Sequence, residues 1–330
     1  EGGAAKAFMV RAGCFRDVDI AITWHPSAFN RVDEAMSLAN TRIDFAFKGR
    51  ASHAAAAPHL GRSALDAVEL MNVGVNYMRE HMPSDARIHY AVLDAGGIAP
   101  NVVQAAATVR YAIRARDLAG MRALVERVTK VAQGAALMTE TQMTLRVVSA
   151  VSNLLGNTPL EEAMQRHLAH LGPPPFDATD RKYAAEIQAT LTAEDIASAY
   201  ARAGVAPRSG TPLCDFIVPL GTKGAPMMGS TDVGDVSWVV PTVQARVATH
   251  AIGTPGHSWQ ITAQGKSGQA KKGMVAAAKV MAGVAVEALS DAALIARARA
   301  DLERRTEAQP YECPLPADAQ PPVQARPRPA

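Results

Sequence analysis

The stretch Asp17–Pro26, DVDIAITWHP, contains a β-like apolar run, Ile20–Ile22, that leads into Trp24, His25 and Pro26. Because proline disfavours helical geometry in the residue before it, His25 is predicted to lie at the end of a strand and not on a helix. Strand ends are where α/β enzymes place their chemistry. Taken alone, the stretch is consistent both with a half-buried structural histidine and with a metal ligand.

The composition is that of an ordinary globular protein with a large core. The chain has 330 residues, 48% hydrophobic and 20% charged, a length that favours two domains. A net charge of +3 and 5% aromatic residues argue against a nucleic-acid-binding protein. Three widely spaced cysteines without a CxxC pair favour a reducing cytoplasm over a disulfide framework or a zinc ribbon. The sequence has no run of 18 apolar residues and no export signal, so we expect no membrane partner.

The first residues, EGGAAKAFMVRAG, start directly on a glycine turn and a helix-like segment. This start is typical of a chain cut inside a domain. We therefore expect other residues of the same site to precede Glu1.

From Arg42 the apolar pattern changes to that of a separate module. Alternation predicts strands, and apolar residues at helical spacing predict helices. The resulting order, βαββαβ, is that of a ferredoxin-like module inserted into an α/β domain. The predicted parts are an α/β domain of residues 1–40 and 152–306, the inserted module of residues 41–151, and a Pro-rich tail of residues 307–330 that is extended or disordered.

After residue 152 the sequence predicts further helices. The last long one, 267–289, has a small apolar face that is expected to pack on a sheet, namely Met274, Ala277, Ala278, Met281, Val284 and Ala285. The Pro- and Gly-rich insert 172–212 is consistent with a segment that shapes a pocket or interface, and equally with surface decoration.

Five polar residues stand out in glycine-rich or strand-end contexts. His53 follows a strand in GRASHAAAAPHLGRS, where a loop histidine bonded to backbone is the plainer interpretation. Asn101 in GGIAPNVV and Arg114 in YAIRARD are predicted on neighbouring strands, where an arginine fork and an amide suit a carboxylate, although a solvated arginine is the alternative. Asp232 and Asp235 in GSTDVGDVSW either orient ligand histidines or cap a helix.

The loop GTPGHSW presents His257, another candidate metal ligand. As a group, EGG, TWHP, FKGRASHAAAAPHLGRSALDAV, GGIAPNVV, IRARD, GSTDVGDVSW and GTPGHSW resemble the co-catalytic zinc amidohydrolases, a family that includes aminoacylases, hippurate hydrolases and auxin-conjugate hydrolases. The resemblance covers nearly the whole chain before the tail. It implies the remainder of a mixed-sheet, metallopeptidase-like catalytic domain with an inserted ferredoxin-like lid and dimerisation domain.

The resemblance also implies roles for single residues. Glu1, His25 and His257 correspond to metal ligands of a site for two divalent ions, zinc or manganese. His53 corresponds to a lid histidine that reaches the active site of the neighbouring subunit and stabilises the oxyanion. The remaining pair, Asn101 and Arg114, corresponds to the residues that hold the free α-carboxylate of the substrate.

The chain departs from the family pattern where the general-base glutamate and two further metal ligands would precede Glu1. The expected activity of the intact protein is hydrolysis of an N-acyl amino acid such as p-aminobenzoyl-glutamate, by a homodimer or with a paralogous subunit, while this chain alone is expected to be inactive. The alternatives are an aminoacylase or dipeptidase of the same family, and a non-catalytic dimerisation or regulatory protein.

Overall fold

The chain folds around two separate sheets, as seen in a computed structural model that describes residues 3–34, 37–225 and 227–321. The strands are β1 (Ala21–Ser27), β2 (Arg31–Val32), β3 (Ala39–Lys48), β4 (Arg87–Asp94), β5 (Ala106–Ala115), β6 (Gln142–Val151) and β7 (Thr242–Ala248). The helices are α1 (Ala5–Arg11), α2 (Ala64–Met78), α3 (Leu118–Met138), α4 (Thr158–Leu171), α5 (Ala178–Gln188), α6 (Ala193–Ala203), α7 (Val233–Ser237), α8 (Trp259–Gln264), α9 (Gly268–Ser290) and α10 (Ala292–Thr306).

Strands β3 to β6 with α2 and α3 form the βαββαβ module, so the predicted element order is confirmed. The strand order is β4-β5-β3-β6, and every neighbouring pair is antiparallel. Ile43, Phe45 and Phe47 alternate along β3 and belong to the same buried cluster as residues of α2 and α3. Helix α2 begins after Ser63, whose hydroxyl accepts a hydrogen bond from the N–H of Asp66. One face of this sheet is therefore covered by helices. The opposite face, called the open face below, carries Asn40, Arg42 and Asp44 of β3.

The second sheet has the order β1-β7-β2, with β1 parallel and β2 antiparallel to β7. The prediction that the first strand stops at His25 is wrong, because β1 continues to Ser27 and His25 pairs with Arg246. Strand β1 lies at the edge of the described sheet, and an edge strand tolerates a proline because its outward N–H groups need no partner. Pro26 therefore lies within β1 and does not end it.

Helix α9 packs on this sheet with a face that differs from the predicted one. Ala277 and Val284 are buried as expected, whereas Met274 is 52% exposed. A Cβ at Gly273 would lie 2.2 Å from the carbonyl oxygen of Ala248, so the glycine sets the face that approaches β7. The buried residues of α9 are Gln269, Gly273, Ala277, Val280, Val284 and Ala288.

Helix α9 is also, within the described residues, the one helix long and apolar enough to cross a membrane. Core helices of soluble proteins share that property, and α9 contacts β1, β7, α4 and α10.

The insert and the tail both pack against the body of the protein. Helices α5 and α6 of the insert form a buried cluster with Phe29 and Ile252, beside the second sheet. Residues 307–321 contain no helix or strand, as predicted for the tail, but Leu315 is 6% exposed and Arg11 donates hydrogen bonds to the carbonyl oxygens of Pro316 and Ala319. The described part of the tail therefore packs against the body of the protein without forming a helix or strand.

Candidate active site

A first cavity, of about 360 Å³, lies where β1 and β7 end and includes His25 and His250 among its lining residues. The Nδ1 atom of His25 is 2.8 Å from the carbonyl oxygen of Pro26, so Nδ1 carries the proton and Nε2 is left as an acceptor. Metal-binding histidines are commonly oriented by a hydrogen bond of this kind. Burial lowers the pKa of His250 to about 4, so this ring is neutral near pH 7.

The arginines of the first cavity already have hydrogen-bond partners. Arg246 donates to Asp33 over 2.8 Å, and Arg31 donates to the carbonyl oxygens of Ala203 and Thr222. Because α6 of the insert contributes Ala199 and Ala203 to the lining, the insert does shape a pocket.

A second cavity, of about 350 Å³, lies between the open face of the βαββαβ module and the loop around His257. Arg114, near the end of β5, donates to the carbonyl oxygen of Met228 over 2.7 Å. Burial, reinforced by the charge of Arg42, lowers the pKa of Arg114 below its ordinary value. His257 has a φ of 58°, a strained backbone conformation for a non-glycine residue that is often found at functional sites.

His53 and Asn101 lie together in a third place, in the loops that flank α2 and β5. The N–H of Ala54 donates to the carbonyl oxygen of Asn101, and His53 forms a β-bridge with Val102. Backbone N–H groups of Ala55 and Ala56 donate to Nδ1 of His53 over 3.2 and 3.1 Å. Nδ1 is therefore an acceptor, and in the neutral ring the proton is on Nε2, which is then a donor on an exposed residue.

The prediction that Asn101 and Arg114 lie on neighbouring strands is wrong. Asn101 precedes β5, and Arg114 is the second-last residue of that strand. An extended chain rises about 3.3 Å per residue, so residues 106 to 114 alone span about 26 Å. Within one chain these two side chains cannot hold the same carboxylate.

Asp232 and Asp235 have other roles than those predicted. Asp232 occupies the N-cap position of α7 without a capping hydrogen bond and instead accepts from the backbone N–H and Nζ of Lys6 over 3.1 and 2.7 Å. Asp235 is buried within α7 and accepts from Ser152 and Tyr311. Both carboxylates therefore connect distant segments of the chain.

The assignment of Glu1, His25 and His257 as metal ligands stays a prediction. His25 and His257 line different cavities, and Glu1 lies outside the residues that the structure describes. In residues 3–34, 37–225 and 227–321, no group of three or more His, Cys, Asp or Glu side chains could hold a metal ion. The described residues alone therefore do not complete a two-metal centre, and no catalytic step is assigned to it.

Sequence reasoning missed Asn40, Arg42 and His250. The first two were detectable, because they alternate with buried residues of β3 and so share the open face with Arg114. His250 follows the end of β7, and its nearness to His25 depends on the parallel pairing of Ser27 with Ala248. That pairing is a tertiary feature without a local signal.

Comparison with known proteins fits these observations. Residues 34–138 match the family model described as a peptidase dimerisation domain. The chain is 44% identical, over 97% of its length, to one subunit of the p-aminobenzoyl-glutamate hydrolase of Escherichia coli K12 and covers 69% of that protein. An aminobenzoyl-glutamate utilization protein from Klebsiella pneumoniae aligns with 84% of this chain at a TM-score of 0.50 and 21% identity, and the chain covers 57% of it.

A dinuclear metal-binding peptidase of the M20 family from Bacillus subtilis aligns with 86% of this chain at a TM-score of 0.52 and 14% identity, and the chain covers 61% of it. The chain thus spans about three fifths of the length of these two solved structures. The shared fold is the mixed α/β fold with an inserted module that the sequence predicts. On the identity to the E. coli hydrolase and the matching dimerisation domain, this chain belongs to the M20 peptidase family.

Proposed function

We propose that the protein is a metal-dependent amidohydrolase that cleaves the amide bond of p-aminobenzoyl-glutamate or a related N-acyl amino acid. The observation that carries this proposal is the second cavity, where Arg114 and His257 converge. A half-buried guanidinium is suited to bind the free carboxylate of such a substrate, through two parallel N–H donors. The 44% identity to a relative named for this substrate supports the same reaction.

The metal centre is part of the proposal. Glu1, His25 and His257 are its proposed ligands in this chain, and the ions are zinc or manganese, since carboxylate and imidazole ligands serve both. Two such ions would supply a water of lowered pKa and polarise the scissile carbonyl. Because the described residues do not complete this centre, we expect the 330-residue chain to bind metal weakly and to lack hydrolytic activity.

His53 is proposed to act on the active site of a partner subunit. Because its Nδ1 accepts from the backbone, its Nε2 can donate to the oxyanion that develops on the substrate carbonyl, a contribution of roughly 3–4 kcal/mol in comparable sites. Asn101 lies beside His53 and far from Arg114, so we propose that it contacts the substrate from the same partner subunit. This arrangement requires dimerisation through the βαββαβ module.

The proposed assembly is a homodimer. A pair with a paralogous subunit is the alternative, suggested by the two separately named subunits of the E. coli hydrolase. The proposed compartment is the cytoplasm, because the free Cys14, Cys214 and Cys313 form no disulfide in the described residues. We propose no nucleic-acid or membrane partner.

Two other functions remain candidates. An aminoacylase or dipeptidase would use the same carboxylate site, so only kinetics separate it from the proposed enzyme. A non-catalytic dimerisation protein would keep the βαββαβ module without hydrolysis. In the DNA upstream of the Glu1 codon, an in-frame segment that encodes a glutamate directly before Glu1 would support the enzyme, and a stop codon there would favour the non-catalytic protein.

The test is an assay of p-aminobenzoate release, with hippurate and dipeptides as competing substrates. The 330-residue chain with zinc or manganese is expected to release nothing. Where the DNA encodes an in-frame segment upstream of Glu1, the chain extended by that segment is expected to prefer p-aminobenzoyl-glutamate. Activity of the 330-residue chain alone would show that the metal-ligand assignment is wrong. Equal rates on all substrates would overturn the substrate assignment.

A further inference from the structure

The second cavity contains a concentration of unsatisfied polar atoms. Oδ1 of Asn40, Nε of Arg114 and Oγ of Ser230 are buried without a hydrogen-bond partner in the described part of the chain, and all three residues line this cavity. Buried polar groups are nearly always hydrogen-bonded, so such atoms in one place point to a ligand that completes them. A ligand here would meet the guanidinium donor of Arg114, the hydroxyl of Ser230 and the amide oxygen of Asn40, which accepts.

The cavity also brings two guanidinium groups together. Arg42 on β3 pairs with Ala112 on β5, and Arg114 is two residues further along that strand, so the two arginines are diagonal neighbours on the open face. Diagonal neighbours on a sheet lie about 7–8 Å apart, within reach of two anionic groups of one small molecule. Burial lowers the pKa of Arg114, and the nearby charge of Arg42 adds to this effect.

The acidic residue of the second cavity is paired with a lysine. Asp232, the one carboxylate among the described lining residues, accepts two hydrogen bonds from Lys6, at its backbone N–H and at Nζ. With two guanidinium groups among its lining residues, the second cavity is suited to a ligand with more than one negative charge.

We propose that the second cavity recognises a dicarboxylate, in which Arg114 binds the α-carboxylate of an acylated amino acid and Arg42 binds the carboxylate of its side chain. Asn40 and Ser230 bind the polar atoms between the two carboxylates. This inference rests on the proposed function for the acylated substrate and adds Arg42 as the residue that selects an acidic amino acid over a neutral one.

Two ligands of equal size isolate the role of the second charge. N-benzoyl-glutamate and N-benzoyl-glutamine differ only in the side-chain carboxylate, and their affinities for the 330-residue chain can be compared by calorimetry. Since a charge-assisted hydrogen bond contributes about 1.5–3 kcal/mol, the chain is expected to bind the glutamate compound about 10- to 150-fold more tightly. Equal affinities would overturn the proposal.

Arg42→Met is expected to reduce that preference to about one, and Arg42→Lys is expected to retain part of it, because the charge remains without the fork geometry. Arg114→Met is expected to weaken both compounds alike. The matched control is Arg146→Met, which removes an arginine of the same open face outside the cavity and should leave the preference intact. Thermal unfolding of each variant verifies folding. A preference that survives Arg42→Met in a folded chain would overturn the proposal.

The outcomes for binding and for hydrolysis are separable. If the extended protein hydrolyses p-aminobenzoyl-glutamate while Arg42→Met leaves the glutamate preference unchanged, the proposed function stands and the role of Arg42 is wrong. If the preference depends on Arg42 and no acylated amino acid is hydrolysed, the dicarboxylate site stands and the proposed function is wrong.

Discussion

The hydroxyl of Tyr311 donates a hydrogen bond of 3.0 Å to Oδ1 of Asp235, and so joins the segment after α10 to helix α7. Ser152, at the point where the chain leaves the βαββαβ module, donates to the same carboxylate from its N–H and its hydroxyl over 3.2 and 2.9 Å. Burial raises the pKa of Asp235 to about 6 in spite of these donors. One carboxylate therefore connects the module, α7 and the tail.

Replacing Tyr311 by phenylalanine should destabilise the fold. The change removes one donor to a buried carboxylate that is ionised at pH 7, and the expected loss in the free energy of unfolding is about 1–3 kcal/mol. Urea denaturation at about pH 7.5 measures it. Tyr77→Phe is the matched control, because Tyr77 is 74% exposed and its change should have no measurable effect. A loss below the control level would show that the tail does not contribute to stability.

Asp235 also predicts a pH dependence of stability. Its folded pKa of about 6 lies above the ordinary value of 3.8, so the folded state binds the proton more tightly than the unfolded state. The contribution of Asp235 to stability is therefore full below about pH 4 and declines as the pH rises to about 6, by roughly 3 kcal/mol for a shift of about two units. We expect Asp235→Asn to remove this decline. Parallel stability profiles of the two proteins between about pH 4 and 7.5 would contradict the assignment.

Gly234 is expected to tolerate no side chain. A Cβ there would lie 2.1 Å from the carbonyl oxygen of Ser152, and a backbone atom cannot move aside as a flexible side chain does. Gly234→Ala should therefore cost more than about 2 kcal/mol, as overpacking does elsewhere. Gly134→Ala in α3 is the control, because nothing lies within 4 Å of its Cβ and alanine favours a helix by about 1 kcal/mol. Opposite shifts in melting temperature are expected.

The sequence predicts the element order of the βαββαβ module but not which residues share a cavity, and the reasons are physical. The βαββαβ order could be predicted because Ile43, Phe45 and Phe47 alternate on one helix-covered face, and that period is local. The position of Arg114 relative to Asn101 depends on the length and direction of β5. Such an arrangement leaves no local pattern in the sequence. The motif resemblance therefore identifies candidate site residues but does not show which of them lie together.

The end of β1 is a second feature that a local sequence pattern does not predict. The sequence predicts that the first strand ends at His25, but β1 is an edge strand of the described sheet, tolerates Pro26 and continues to Ser27. Whether a strand lies at an edge depends on the whole sheet. The prediction for α9 had the right helix and part of the right face, since Ala277 and Val284 are buried and Met274 is exposed; Gly273 sets the contact with Ala248.

Asp44 should contribute to stability far more than either of its partners alone. It accepts from Arg110 and Arg146 over 2.6 to 3.0 Å, and its side chain is 9% exposed, while that of Arg146 is 76% exposed. Asp44→Asn leaves two arginines facing each other and is expected to cost about 2 kcal/mol or more, whereas Arg146→Gln should cost less than about 1 kcal/mol. Equal losses in urea denaturation would contradict this account.

The pH dependence at Asp44 has the opposite sign to that at Asp235. Burial acts to raise the pKa of Asp44, but hydrogen bonds from Arg110 and Arg146 hold it below its ordinary value. Its stabilising contribution is therefore present above the unfolded pKa of about 4 and is lost as the pH falls through the folded pKa. Acid denaturation of Asp44→Asn should accordingly be less steep than that of the wild-type chain below about pH 4.

Dimerisation through the module predicts an effect of charge on its exposed apolar surface. Val73 on α2 and Leu93 on β4, the edge strand of the described sheet, are 51% and 50% exposed, and an edge strand with apolar neighbours is suited to a second copy. Val73→Asp should convert a dimer to a monomer in sedimentation velocity, because a buried unpaired charge costs several kcal/mol. Val286→Asp on α9, at a site 63% exposed, is the control and should remain dimeric. If Val73→Asp also remains dimeric, the two subunits meet at another surface. His53 would then not reach the second cavity of the partner subunit.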